Sequence, residues 1–318
     1  MLKGIGLKLA SAFAFSLMST TVKLQSGAYP ISQLVFFRSL FALGLLVVWL
    51  AARGEFPGAL VTRRPGGHLL RSLIGSAGMF ASFLSLALLP LADATAIGYA
   101  APLITVALAA LLLGEQVRVF RWAAVAVGFA GVVVMLSDHL GLDHAGSRLG
   151  IGAALTGAVA SAFATIQTRR LVGTEQTGAI VFYFSLTTTL MGALALAAAA
   201  LWRPHWPLAE AMLAQRWAAP DWSGFLWLAA TGVLGGFGQI FMTQSYRYAD
   251  ASIIACFDYT SMIFAASLSL LVFDVAPSPR ILIGSVIVAA AGLFVIWRER
   301  RLGVISAKAR EAGPSRSV

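Results

Sequence analysis

Residues 31–52 read ISQLVFFRSLFALGLLVVWLAA, and residues 177–201 read TGAIVFYFSLTTTLMGALALAAAAL. Each is an apolar run longer than the ~18 residues that mark a helix able to cross a ~30 Å hydrocarbon layer. Neither alternates apolar and polar positions with the two-residue period of a membrane β-strand. The two runs also share a pattern. Val35-Phe36-Phe37-Arg38-Ser39-Leu40 falls in register with Val181-Phe182-Tyr183-Phe184-Ser185-Leu186, at an offset of 146 residues. Taken singly, each run marks a helical membrane segment. Taken together, they mark a duplicated chain.

The rest of the chain has the same character. Of 318 residues, 59% are apolar and 11% are charged, and mean hydropathy is +0.84. A soluble domain carries about 25% charged residues. That contrast excludes a soluble enzyme, a nucleic-acid binder and a disordered protein. Ten apolar windows are expected to span the bilayer, at 5–24, 31–52, 69–89, 94–113, 119–137, 149–169, 177–201, 222–245, 251–273 and 280–298. The N-terminal window has no clear cleavage site and reads as the first span, not a signal peptide. The connection 202–221 holds Trp202, Trp206 and Trp217, with Trp222 just beyond, and is expected to lie on the membrane as an interfacial helix. Residues 301–318 are expected to be a disordered tail.

The net charge of +10 is read as basic cytoplasmic loops. With the N-terminus inside, 17 Lys and Arg fall on the cytoplasmic side and 5 on the other, so both termini are expected to be cytoplasmic. The single cysteine, Cys256, excludes an intrachain disulfide.

The duplication extends beyond the two opening runs. Ala92-Asp93-Ala94-Thr95 matches Ala249-Asp250-Ala251-Ser252 at an offset of 157, where Gly75 also meets Gly232 and Phe80 meets Phe237. The longer offset is explained by the 202–221 connection. Each copy then holds five spans, and an odd number inverts the second copy in the membrane. The expected fold is an all-α polytopic membrane protein of ten transmembrane helices, with repeats at 1–145 and 146–300. Inverted repeats are characteristic of secondary transporters that work by alternating access, with the substrate site near the midplane between them.

In the fourth span, Leu91-Ala92-Asp93-Ala94-Thr95 leads to Tyr99 and Pro102 and ends at Gly114-Glu115, and Trp122 opens the fifth. On these residues the chain resembles the EamA-type branch of the drug/metabolite transporter superfamily. The second copy departs from the pattern, with Cys256, Tyr259 and Asp274 at the places of Tyr99, Pro102 and Glu115. Thr174-Glu175-Gln176, Gly238-Gln239, Phe257-Asp258-Tyr259-Thr260-Ser261-Met262 and Trp297-Arg298-Glu299-Arg300-Arg301 are similar to an alphaproteobacterial-type subgroup. That subgroup includes riboflavin uptake proteins, S-adenosylmethionine carriers, and exporters of amino acids or metallophores. The resemblance implies a bacterial inner-membrane carrier acting on a small molecule without a cofactor. Riboflavin uptake is the first expectation. Export of amino acids, opine-type metallophores or drug-like compounds is the alternative.

Charges within spans are costly, so they are expected to face a cavity or a partner. Arg38 and Asp258 each lie about seven residues into a span, or ~10 Å deep at 1.5 Å per residue. Two readings stand side by side: both line the substrate site, or they form an ion pair that locks two helices. Asp258 is the candidate for proton coupling. Tyr259, Gln239, Tyr99, Tyr183, Gln167 and Gln244 are candidate lining residues, since tyrosine faces and glutamine amides suit a flat polar ligand. Against this, such side chains also join helices to one another. Asp93 and Asp250 read as helix N-caps rather than coupling sites, and the glycine pairs 232/236 and 128/131 as packing sites. The four histidines, His68, His139, His144 and His205, show no metal spacing. No clustered His/Asp/Glu set supports an intramembrane enzyme.

Overall fold

The computed structural model describes residues 2–101, 103–105, 108, 119–137, 145–201, 217–248 and 260–301. The α-helices among them are α1 (Leu2–Gln25), α2 (Ile31–Ala52), α3 (Pro65–Leu88), α4 (Leu91–Gly98), α5 (Val119–Leu136), α6 (Ala145–Val172), α7 (Thr177–Leu201), α8 (Trp222–Tyr248), α9 (Thr260–Phe273) and α10 (Pro279–Arg301). Among the described residues there is no strand. Six of these helices, α1, α2, α3, α6, α7 and α8, are long and apolar enough to cross a membrane. Stretches at 122–134, 260–273 and 279–291 are apolar but shorter.

Local chemistry sets the helix ends. Pro30, Pro90 and Ser278 directly precede helices, and Pro65 and Pro279 occupy first helical positions, where a missing N–H is not needed. Gly54 closes α2 at φ 66°, a left-handed conformation that favours glycine. Its N–H donates to Ala51 O at 3.0 Å, and Glu55 N–H donates to Leu50 O at 3.0 Å, which together satisfy the last carbonyls of α2. Asp274 ends α9 at φ 55°. The N-cap expected at Asp93 is not formed. Pro90 holds the cap position and Asp93 lies within the first turn, where its charge suits the helix dipole. Asp250 lies outside the described residues.

Large apolar side chains point outward all along the helices, among them Val48, Leu194, Val286 and Leu271. Water would not tolerate so much contiguous apolar surface, and lipid does. The hydroxyls of Ser16, Thr20, Thr188 and Thr243 donate to carbonyls one turn back, so no bare polar group faces the apolar surroundings at those places. Small residues bring helices into backbone contact. A Cβ on Gly232 would clash with Phe41 and with the Phe37 and Arg38 carbonyls, and one on Gly192 would sit 2.9 Å from Phe36 Cα. Gly236 lies against Ala42, and Gly131 against the Gly284 carbonyl of α10.

The packing order has an internal regularity. α3 packs on α6, and α8 on α1. α3 packs on α7, and α8 on α2. α6 packs on α4, and α1 on α9. Exchanging α1–α5 for α6–α10 converts each of these contacts into its companion. Three further contacts, α2 with α7, α4 with α9 and α5 with α10, map onto themselves.

Of the 202–221 connection, only 217–221 is described. Trp217 lies 5.6 Å from Phe37 between ring centroids, and Trp222 opens α8 stacked on Phe225 at 6.0 Å. The interfacial helix falls outside the described residues, and of the tail expected at 301–318 only Arg301 is described, as the last residue of α10.

Candidate functional site

Arg38 is the largest fully buried side chain among the described residues, at 2% exposure. It is enclosed by three helices. From α8, Gly235 O accepts from Arg38 Nη2 at 3.4 Å, and the absence of a side chain on Gly235 makes room for the guanidinium. From α7, the Phe184 ring centroid lies 5.7 Å from Arg38 Cζ. From α1, Met18 Sδ would touch any Cβ placed on Gly235. Arg38 and Phe184 occupy matching positions of the two sequence copies. They meet where α2 crosses α7.

A second arginine shares the same ring. Arg71 of α3 is also buried, at 4% exposure, and its Cζ lies 4.1 Å from the Phe184 centroid. Its Nε donates to Thr168 Oγ1 of α6 at 3.1 Å. Gly75, one turn along from Arg71, leaves space for Phe184. In the sequence, Arg71 stands at the edge of the expected span 69–89 and is one of the 17 basic residues counted on the cytoplasmic side. The α3 helix begins at Pro65, which carries Arg71 into the bundle. Arg38 Nε and Nη1 and Arg71 Nη1 are buried without hydrogen-bond partners among the described residues.

Gln239 follows Gly235 by one helical turn on the same face of α8. It is buried, and its Nε2 also lacks a partner among the described residues. The other expected lining residues do not assemble here. Tyr183 donates its hydroxyl to Leu60 O at 3.1 Å, and its ring lies 4.9 Å from that of His68, at one end of the bundle. Tyr99 belongs to a separate cavity of 240 Å³ lined also by Ser19, Ser82, Ser85 and Thr95. Gln167 and Gln244 are half-buried on α6 and α8. Asp258, Tyr259 and Pro102 lie outside the described residues.

Each end of the bundle carries a polar clasp between the two halves of the chain. At one end, Gln33 and Ala218 exchange hydrogen bonds at 2.7 and 3.0 Å, and Gln25 donates to Thr231 Oγ1 at 2.9 Å. At the other end, the buried Glu175 in the α6–α7 turn accepts from Arg63 N–H at 3.1 Å, and its carboxylate lies 3.4 Å from His68 Nε2. Arg247 donates to the Glu175 carbonyl at 3.3 Å. Burial would raise the Glu175 carboxyl, but the Arg63 N–H it accepts and the neighbouring His68 imidazole and Thr62 hydroxyl outweigh it and hold it below its ordinary value. The sequence pattern did not single out this clasp, because its members lie 112 residues apart, in and beside turns.

No group of three or more His, Cys, Asp or Glu residues that could hold a metal occurs among the described residues. Among the described residues, an all-helical fold with outward-facing apolar side chains and arginines buried about two turns into their helices defines a polytopic membrane protein of the carrier class. The chain belongs to the EamA-like transporter family, whose model matches it twice, over residues 2–137 and 148–298. It is 28% identical to the S-adenosylmethionine uptake transporter of Rickettsia prowazekii, over 85% of this chain and 84% of that protein. It is 28% identical to the pseudopaline exporter CntI of Pseudomonas aeruginosa, over 91% of this chain and 94% of that one. The riboflavin transporter of Rhizobium johnstonii is 29% identical, over 92% and 90%. A solved crystal structure superposes with a TM-score of 0.65 at 24% identity, covering 93% of this chain and 98% of the other, which shows a shared fold.

Proposed function

We propose that this chain is a secondary carrier of small metabolites whose inverted five-helix repeats, 1–145 and 146–300, rock about the α2–α7 crossing. The central site then faces each side of the membrane in turn, and no covalent chemistry takes place. The observation that carries this reading is the meeting of Arg38 with Phe184, two equivalent positions of the duplication, on the helix pair that maps onto itself. The paired packing of the other helices supports it, as does a family model that matches once in each half. The charge distribution supports cytoplasmic termini.

The polar clasps at the two ends suit alternating access, because one must open while the other stays shut. Arg38 and Gln239 are the proposed substrate contacts, and Asp258 the proposed proton-coupling group. Relatives are named for S-adenosylmethionine uptake, pseudopaline export and riboflavin transport, so they support a small-molecule substrate without selecting one. Riboflavin uptake remains one arm of the test.

The test is flux. The purified chain is placed in proteoliposomes and offered labelled riboflavin, S-adenosylmethionine and a set of amino acids, with empty liposomes as control. Saturable flux of any of these, abolished by Arg38→Ala in protein that still inserts, is expected. A correctly inserted chain that moves none of them would overturn the carrier reading.

A further inference from the structure

We infer that Arg38 and Arg71 together form a binding site for an oxyanion, a carboxylate or a phosphate, borne by the transported molecule. This deepens the carrier reading above and rests on it.

Two guanidiniums are buried over one aromatic ring, and neither is within ion-pair distance of a carboxylate among the described residues. The acidic side chain at the nearby end of the bundle, Glu175, is committed to Arg63 and His68. Guanidinium groups stay protonated in proteins, so burial leaves two like charges to be accommodated. Attraction to the face of Phe184 offsets only a fraction of the desolvation cost of each ion. Among the described residues, three guanidinium nitrogens, Arg38 Nε and Nη1 and Arg71 Nη1, remain without acceptors, and so does Gln239 Nε2 one turn from Gly235.

Arginine is the side chain whose rigid, planar set of donors matches the oxygens of carboxylates and phosphates. An oxyanion entering between these donors would neutralise the repulsion and satisfy the orphaned N–H groups in one step. Such a site also selects its substrate. A molecule that lacks the anion would leave buried charged donors unpaired, the situation in which binding sites discriminate most strongly. The two repeats contribute unequally. The first supplies both cations, and the second supplies the ring, the threonine and the glycine that seat them. A duplicated fold would thereby acquire an asymmetric, polar-ended binding site.

The experiment uses matched pairs on the full-length chain in detergent. S-adenosylmethionine is compared with its decarboxylated form, and riboflavin 5′-phosphate with riboflavin, by their shifts of the melting temperature. In at least one pair the anionic member is expected to stabilise the wild type while its partner does not. Arg38→Met and Arg71→Met should each abolish that shift. Without ligand each should also melt higher than wild type by at least ~2 °C, since an unpaired buried charge has been removed.

Should Arg71→Met accumulate poorly, Arg71→Lys, which keeps the charge but loses the planar donor set, is expected to show a smaller anion shift than wild type. Equal shifts within both pairs, or no shift from either anion, would overturn the site. So would variants that melt lower than wild type, which would reveal a counter-ion within the chain, such as Asp258. Flux keeps this result separate from the carrier reading. A chain that binds the anion but transports nothing loses the carrier reading and keeps the site. A chain that moves riboflavin and ignores both anions does the reverse.

Discussion

Replacing Glu175 tests whether the clasp at the α6–α7 turn contributes to stability as its geometry says. The carboxylate accepts the Arg63 N–H at 3.1 Å and lies 3.4 Å from His68 Nε2, and both contacts reach across to the other half of the chain. Glu175→Gln keeps an acceptor for Arg63 but removes the charge. The difference between a charged and a neutral hydrogen bond is about 1 kcal/mol. Glu175→Ala removes the acceptor and leaves the Arg63 N–H and the His68 edge facing a void, which raises the cost to roughly 2–4 kcal/mol. At about 2–4 °C per kcal/mol for a chain of this size, wild type should melt above Glu175→Gln, and Glu175→Ala lowest of the three.

The pH dependence has a definite sign. The folded carboxyl titrates below its ordinary value of 4.5, so its contribution is fully present above that value and is lost as pH falls through and below it. The gap between wild type and Glu175→Gln should be present above that range and narrow as pH falls through and below it. The assay is thermal melting in detergent across a pH series. A gap that stays constant down to the acid limit, or Glu175→Ala melting with wild type, would refute the reasoning.

Gly235→Ala should place its methyl 2.7 Å from Arg38 Nε and 2.8 Å from Met18 Sδ, displacing the guanidinium. Transport is expected to fall with KM rising, while overpacking costs ~1–3 kcal/mol in melting measurements. Gly192→Val would force α7 off the Phe36 backbone, and loss of membrane accumulation on immunoblots is the expected outcome. Asp258→Asn should leave membrane levels intact and abolish the pH dependence of flux in proteoliposomes with an imposed proton gradient.

Much of the architecture was legible in the apolar runs because lipid imposes a length and a polarity that no soluble environment enforces. Helix limits such as 31–52 and 177–201 could be read directly from the sequence. Arg38 was legible for the same reason, since a charge inside such a run is too costly to be incidental. Arg71 was not, because six residues from a proline-initiated start it reads as an edge charge, and only the packing of α3 against α6 and α7 shows its burial. Tyr183 looked like a lining residue because a tyrosine in a span is ambiguous, and its bond to Leu60 depends on a turn more than 100 residues away. Periodicity carries no information about such distant pairings. Asp93 failed as a cap because Pro90 had already fixed where the helix begins.

Inversion of the two halves of the chain in the membrane would place their first turns on opposite sides. Ala28, in the α1–α2 turn, and Gly173, in the α6–α7 turn, are both exposed, and they sit at opposite ends of the bundle. On a Cys256→Ser background, single cysteines at these positions should label differently with a membrane-impermeant maleimide. With the halves inverted, Ala28→Cys reacts in intact cells, while Gly173→Cys reacts only after permeabilisation. Labelling of both positions from the same side would contradict it.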